Sequence, residues 1–279
     1  MERETGLSVL YENLSVFRER QENTAELRRI TVRQLIDLLS TEADAENAYA
    51  HFVHALPDAT GEECLLLCHA QIGKTLPSQP TYTALSHRFR ISCMETPASH
   101  ALFTQTKQLA LQTELSPIQS FSQGCEEVLD GKSDACLLPL FSTVDGKLYR
   151  FYEMLERYDL KVLLAGDIDA EDGEQTVRYA LAGHESALPF GSLPHLLEFS
   201  VTESGFGCTE EIPLTAKACG AELFQIDSLP LPFDTGLRRF YFTLQIPQNQ
   251  EEAFRLYLSL RYPGYTLIGS YPLLPRTSL

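Results

Sequence analysis

The stretch PIQSFSQGCEEVLDGKSDACLLPL, residues 117–140, decides the fold. Residues 117–121 read as a strand. Residues 122–129 read as a helix that stops at the turn pair Asp130 and Gly131. Residues 135–140 are an unbroken apolar run, short enough for a strand buried on both faces. A strand, a helix and a second strand in so few residues make a β-α-β unit. Its crossover connection requires parallel pairing.

The rhythm continues on both sides. Upstream, residues 89–94 form a short strand and residues 99–111 a helix that Ser99 caps. Downstream, residues 147–158 form a helix with Leu148, Phe151, Tyr152 and Leu155 on one face. Residues 160–165 and 176–182 are further strands, and residues 167–174 an acidic turn. Residues 87–185 are therefore expected to build an α/β lobe with a mostly parallel sheet covered by helices. From 194 to 275 the pattern changes. Strands at 196–202, 222–228, 240–246 and 265–271 interleave with helices at 212–218, with Pro213 in the first turn, and from Asn249 as cap to 260. Phe240, Phe242, Leu244 and Ile246 alternate with polar residues at a period of two. The order βαββαβ is the ferredoxin-like split unit, an α+β arrangement.

Residues 1–75 read as helical. Asn23 with Glu26, Thr41 with Asp44, and Thr60 with Glu63 each have capping-box spacing. The second helix stops at Pro57, and Gly73 reads as the cap that ends the third. Three helices predict a small bundle. Residues 76–86, with two prolines, are a linker.

The chain has 279 residues, 44% of them hydrophobic and 22% charged, and a formal charge of −16. No basic cluster exists to meet phosphates, which excludes nucleic acid as a partner. No apolar run is long enough to span a bilayer. The first residues lack the basic-then-apolar signature of a signal peptide, so a cytoplasmic protein is expected. The seven cysteines include no CxxC pair. Cys64, Cys68 and His69 have ligand-like spacing, but no second cluster completes four ligands. No metal and no cofactor are expected, and the thiols read as small buried side chains.

Two stretches resemble a known family. Residues 120–131, SFSQGCEEVLDG, then 134–139, DACLLP, and 158–161, YDLK, look like the first lobe of prephenate dehydratase. There an SF…V…G helix precedes a strand ending Pro-Ile-Glu-Asn-Ser, and a YDL segment follows. Residues 226–230, IDSLP, 239–243, RFYFT, and 269–272, GSYP, resemble the ACT domain attached to that enzyme. The resemblance implies conversion of prephenate to phenylpyruvate, with loss of water and carbon dioxide, at a site between two lobes. It also implies an ACT domain that binds phenylalanine, senses it and pairs side by side into a homodimer.

The chain departs from the family where the chemistry lies. After Pro139 comes Phe141, which cannot replace a carboxylate or amide, although Ser142 and Thr143 still offer hydroxyls. The family's Thr-Arg-Phe motif falls on Val177, Arg178 and Tyr179. Valine has no proton to exchange. Thr176 lies one residue earlier, on the opposite face of the strand. Arg178 either holds a carboxylate through two parallel hydrogen bonds or is a solvated strand charge. Of the opening Gly-Pro-x-Gly-Thr-Phe-Ser motif only Ser99 and His100 echo. Residues 144–175 are too few for the second lobe. The catalytic candidates are thus Thr176, Arg178, Ser142 and Thr143. In the ACT-like part, Asp227, Ser228 and Pro230 match the ESRP motif without its Arg, and Gly207 falls near the segment that cradles the amino acid. These four are the ligand-binding candidates, for an aromatic amino acid or a prephenate-like molecule.

The N-terminal helices have the position and helix content of chorismate mutase but not its motifs. Arg29 and Arg33, one helical turn apart, either face one ligand or form a solvated surface. Three functions stay open: a degenerate dehydratase with a regulatory role, an amino-acid-binding ACT module, and an active enzyme completed by a partner chain.

Overall fold

In a computed structural model of the chain, residues 2–41, 52–53, 59–75, 89–108, 113–170, 175–184, 193–231 and 236–278 are described. They fall in two compact units, Met1–Pro77 and Ser78–Leu279. The first contains α1 (Glu2–Thr41) and α2 (Gly61–Thr75). The second opens with β1 (Phe89–Cys93), α3 (Pro97–Gln108), β2 (Thr113–Pro117), α4 (Phe121–Leu129) and β3 (Ala135–Ser142). It continues with β4 (Gly146–Lys147), α5 (Tyr149–Arg157), β5 (Lys161–Asp169) and β6 (Thr176–Gly183). It ends with β7 (His195–Glu203), α6 (Cys208–Ala218), β8 (Glu222–Pro230), β9 (Arg238–Gln245), α7 (Gln248–Arg261) and β10 (Thr266–Ser278).

Several boundaries differ from the sequence reading, each for a local reason. α1 is continuous through Asn23. No Pro or Gly interrupts residues 7–41, so the helix has no cause to restart there. The helix expected from Thr41 and Asp44 lies mostly outside the described residues. At α2 the capping box is present. The Glu63 amide donates to Thr60 Oγ1 at 3.3 Å, and the Thr60 amide donates to Glu63 Oε2 at 2.8 Å. The Glu63 carboxylate also receives Arg28 of α1, at 3.0 and 2.6 Å. α2 continues past Gly73 to Thr75. At α3 the cap is Thr96 rather than Ser99, because the two exchange reciprocal bonds of 3.0 and 3.1 Å. β2 ends where a strand was expected to begin, since Ser120 accepts from the Gln123 amide and starts α4. α7 begins after Pro247, ahead of Asn249. Pro213 lies in the second turn of α6, because that helix starts at Cys208.

The strands form one sheet in the order β2-β1-β3-β6-β5-β10-β7-β9-β8, with β4 paired to β3. The mostly parallel lobe expected from residues 87–185 is corrected to a mixed one. β1 runs parallel to β2 and β3, but β6 is antiparallel to both β3 and β5. The connection from Asp169 to Thr176 is too short for a crossover, so β5 and β6 must form a hairpin. In the C-terminal half, β7-α6-β8-β9-α7-β10 gives the strand order β10-β7-β9-β8, antiparallel throughout. β10 then pairs in parallel with β5. One sheet therefore runs without a break through both halves of the unit.

The sheet is covered on both faces. α3 places the fully buried Leu102 against Ile91, Leu137, Leu164, Leu181 and Leu274. α4 and α5 bring Cys125, Val128, Tyr152 and Leu155 onto the other face, over Leu138, Leu140, Val162 and Tyr271. Apolar burial on two sides explains why β3 and β5 read as continuous apolar runs. Where β10 meets β5 no side chain fits: a Cβ on Gly269 would sit 2.6 Å from the Val162 carbonyl oxygen.

Candidate functional site

The face beneath α5 carries buried charge as well as apolar side chains. The cross-strand register sets Arg178 on β6 opposite Asp167 on β5. Their side chains meet in a two-bond fork, with Nε donating to Oδ1 at 2.7 Å and Nη2 to Oδ2 at 2.9 Å. Burial works against the Arg178 charge. The Asp167 fork, together with Tyr271 and Glu198 nearby, outweighs it and holds the group above the ordinary arginine range. The Phe224 ring, from β8, lies 5.1 Å from the Arg178 guanidinium.

The centre of this face is Glu198 on β7, which is 2% exposed. Lys147, on β4 opposite Phe141 of β3, donates to its Oε1 at 2.6 Å. Tyr152 of α5 donates to the same oxygen, and Tyr271 of β10 to Oε2, both at 2.7 Å. Burial alone pushes a carboxylate up. Here Lys147 and the two hydroxyls reverse that, and Glu198 lies below its usual range. Burial and the Glu198 charge push both tyrosines well up, so they remain donors. Lys147 also stands over the rings of Tyr152 and Tyr241, at 4.2 and 5.2 Å. On its far side it comes within 3.9 Å of Asp227 on β8. Lys147 thus links the α/β half to three strands of the ferredoxin-like half.

The sequence candidates distribute around this centre. Asp227 faces it and receives Gln225 at 2.7 Å. Ser228 points to Arg238, whose Nη2 donates to it at 2.9 Å. Gly207 precedes α6, with open space where a Cβ would lie. Its neighbour Phe206 stands 5.8 Å from the same Arg238 guanidinium. Pro230 closes β8 opposite Arg238. Ser142, Thr143 and Thr176 meet at one end of the sheet. The Thr176 amide donates to Thr143 Oγ1 at 3.0 Å, and Gln175 donates to Ser142 Oγ at 3.1 Å. Thr176 Oγ1 donates to Asp169 at 2.6 Å and accepts from Arg276 at 2.7 Å. Ser99 is used as a helix cap. Its hydroxyl donates toward the Met94 and Thr96 carbonyls, each at 2.8 Å.

Glu198, Lys147, Tyr152 and Tyr271 were missed in the sequence. Lys147 reads as the first residue of a helix, and Glu198 as one residue of the strand at 196–202, with no role assigned. The one available signal was a carboxylate inside the apolar run of residues 196–201. On the opposite face a second trio was also missed. His195 Nε2 lies 2.7 Å from Ser270 Oγ and 2.9 Å from Glu251 Oε2, and the Ser270 hydroxyl donates to that same oxygen at 2.7 Å. Both contacts use one imidazole nitrogen. A relay requires the carboxylate on the other nitrogen, so the trio is a clamp between β7, β10 and α7. Among the described residues no three His, Cys, Asp or Glu side chains gather as a metal site. No described helix is long and apolar enough to cross a membrane.

No family model matches the chain, and no curated protein does. Solved structures do. Prephenate dehydratase from Streptococcus mutans is similar over 67% of this chain and 100% of its own, with 15% identity and a TM-score of 0.55. Prephenate dehydratase from Arthrobacter aurescens in complex with L-Phe matches 66% of this chain and 90% of its own, at 13% identity and a TM-score of 0.52. A structure described as GqqA, a novel type of quorum quenching acylase, covers 67% of this chain and 96% of its own, with 16% identity and a TM-score of 0.52. At such identities the likeness establishes a prephenate dehydratase-like fold.

Proposed function

We propose that this chain is a prephenate dehydratase-like protein that has lost dehydration. In this reading it serves phenylalanine biosynthesis in the cytoplasm as a regulatory or partner protein. The observation that carries the reading is the Arg178–Asp167 fork. Arg178 is the one family-matched cation suited to a substrate carboxylate, and both of its parallel donors are already bound to the protein. Thr176, the hydroxyl nearest the family's Thr, is likewise held between Asp169 and Arg276. Val177 and Phe141 offer no replacement. Residues 144–170 and 175 supply β4, α5 and β5, where the family inserts a second lobe to enclose its substrate. Without that wall the substrate itself is not enclosed, and electrostatic stabilisation of a reaction depends on a site that excludes water.

The residues of β7 to β10 act, in the same proposal, as an ACT domain that pairs with a second copy and takes an aromatic amino acid near Asp227 and Ser228. The edge of β10 is occupied by β5 of the same chain. β8 has β9 as its one strand neighbour among the described residues and carries the exposed Leu223, Phe224 and Ile226. An apolar edge of this kind favours strand pairing. Purified protein given prephenate is expected to form no phenylpyruvate, and measurable turnover would falsify the loss of dehydration. Turnover appearing only when a pathway enzyme is added would instead favour an enzyme completed by a partner chain. Thermal melts with each aromatic amino acid test the ligand: binding to the folded state raises Tm, and flat melts count against an ACT function.

A further inference from the structure

Cys125 on α4 and Cys136 on β3 place their sulfurs 3.8 Å apart, and both residues are 0% exposed. The approach is made possible by Gly124, where a Cβ would meet the Cys136 Cβ at 3.2 Å and Ile118 at 2.7 Å. A disulfide needs sulfurs at about 2.05 Å, so a small shift of either side chain closes the gap. The two thiols are not equivalent. The two sulfurs share one S–H hydrogen bond in which either can donate; the contact holds Cys125 below the ordinary thiol range and, with burial, pushes Cys136 well above it. Burial pushes Cys93, Cys208 and Cys219 up, so they stay inert. Cys64 and Cys68 are also buried, but both lie on α2, where a bridge between successive turns joins nothing to anything else.

We propose that Cys125 and Cys136 form a peroxide-responsive thiol pair, with Cys125 as nucleophile and Cys136 as resolving thiol. The Cys125 thiolate attacks one oxygen of hydrogen peroxide, the O–O bond breaks, and sulfenic acid and hydroxide result. The Cys136 sulfur then displaces the sulfenic hydroxyl. Its proton leaves with that hydroxyl as water, and an S–S bond joins α4 to β3. Two thiols are oxidised by one peroxide, which is reduced to two waters. Peroxide enters when α4 opens locally. Leu129 at the end of α4 is exposed, while Cys125 and Val128 hold the helix in the core, so oxidation has to wait for that opening.

The experiment uses the full chain. The reduced protein is treated with excess hydrogen peroxide, quenched, denatured and alkylated, then weighed intact and mapped by peptides. Two of the seven thiols are expected to resist alkylation, the mass to fall by two hydrogens, and the linked peptides to contain Cys125 and Cys136. The melting temperature should rise by several degrees and return with dithiothreitol, because the bridge constrains the unfolded chain. In Cys136→Ser the bridge should vanish and a sulfenic acid at Cys125 be trapped by dimedone. Cys64→Ser with Cys68→Ser should leave the bridge intact. Seven reactive thiols after peroxide, or a bridge elsewhere, overturns the proposal. The wild-type map decides this even if a serine variant fails to fold.

Discussion

Lys147 and Glu198 are each 2% exposed at the side chain and 2.6 Å apart. A buried pair of this kind is sensitive to the loss of one member, because the other keeps its charge without a partner. Lys147→Met is expected to lower unfolding free energy by about 3–5 kcal/mol in urea titration. Adding Glu198→Leu should recover part of that loss; a double variant weaker than the single would show that Glu198 stabilises through Tyr152 and Tyr271 even without Lys147. At Gly269 the limit is steric. Gly269→Ala forces a carbon against the Val162 backbone, and a cost of ~1–3 kcal/mol is expected from overpacking. Arg178 was legible in the sequence as a candidate, but its partner was not. Asp167 sits in what reads as an acidic turn. It becomes the partner because β5 extends to Asp169 and the hairpin register sets Asp167 opposite Arg178. Register follows from pairing, which a single strand's residues do not display.

At the level of elements, local chemistry was the more readable part. The Thr60–Glu63 box works because both reciprocal bonds form within four residues. Thr60→Ala should cost about 1 kcal/mol of helix stability, measured as a lower melting temperature of the first unit; an unchanged melt would mean that the Arg28 contact alone fixes Glu63. Asn23 and Glu26 have the same spacing, yet α1 runs through them. A capping box needs a chain that enters from outside the helix, and spacing alone does not carry that information. The two-residue β4 went unseen for a similar reason. Lys147 joins a strand because the turn at Gly146 folds back onto β3, whereas an apolar pattern starting at Leu148 reads as a longer helix. Strands buried on both faces and the βαββαβ order were visible because each is written in a run of adjacent residues.

Across the whole molecule, acid sensitivity should follow the paired carboxylates. Burial raises Glu198 and Glu251, but their partners more than compensate, and both lie below the ordinary value of 4.5. A carboxylate depressed in the folded state adds stability that is complete above its unfolded value and is lost as pH falls through the folded one. The urea midpoint is therefore expected to hold steady from neutrality down to about pH 5 and then decline. Glu251→Gln, which keeps a polar side chain beside His195 and Ser270, should flatten that decline. An identical acid profile in the variant would remove Glu251 from the account. The mixed strand directions, unlike the β-α-β rhythm, were not legible, because they depend on which strands become neighbours. Cys125 and Cys136 became neighbours in this way too, through packing of α4 on β3.

The parallel seam between β5 and β10 has a consequence in time. The two strands are separated in the chain by β6, β7, β8 and β9 with their helices, so the ribosome finishes one long before the other. Throughout that interval β5 has β6 on one side and nothing on the other. An open, apolar strand is what chaperones recognise and what aggregating chains exploit. A nascent chain arrested after β9 should bind holdases and resist release. Synthesis through β10 should free it, as that strand slots into the middle of the sheet.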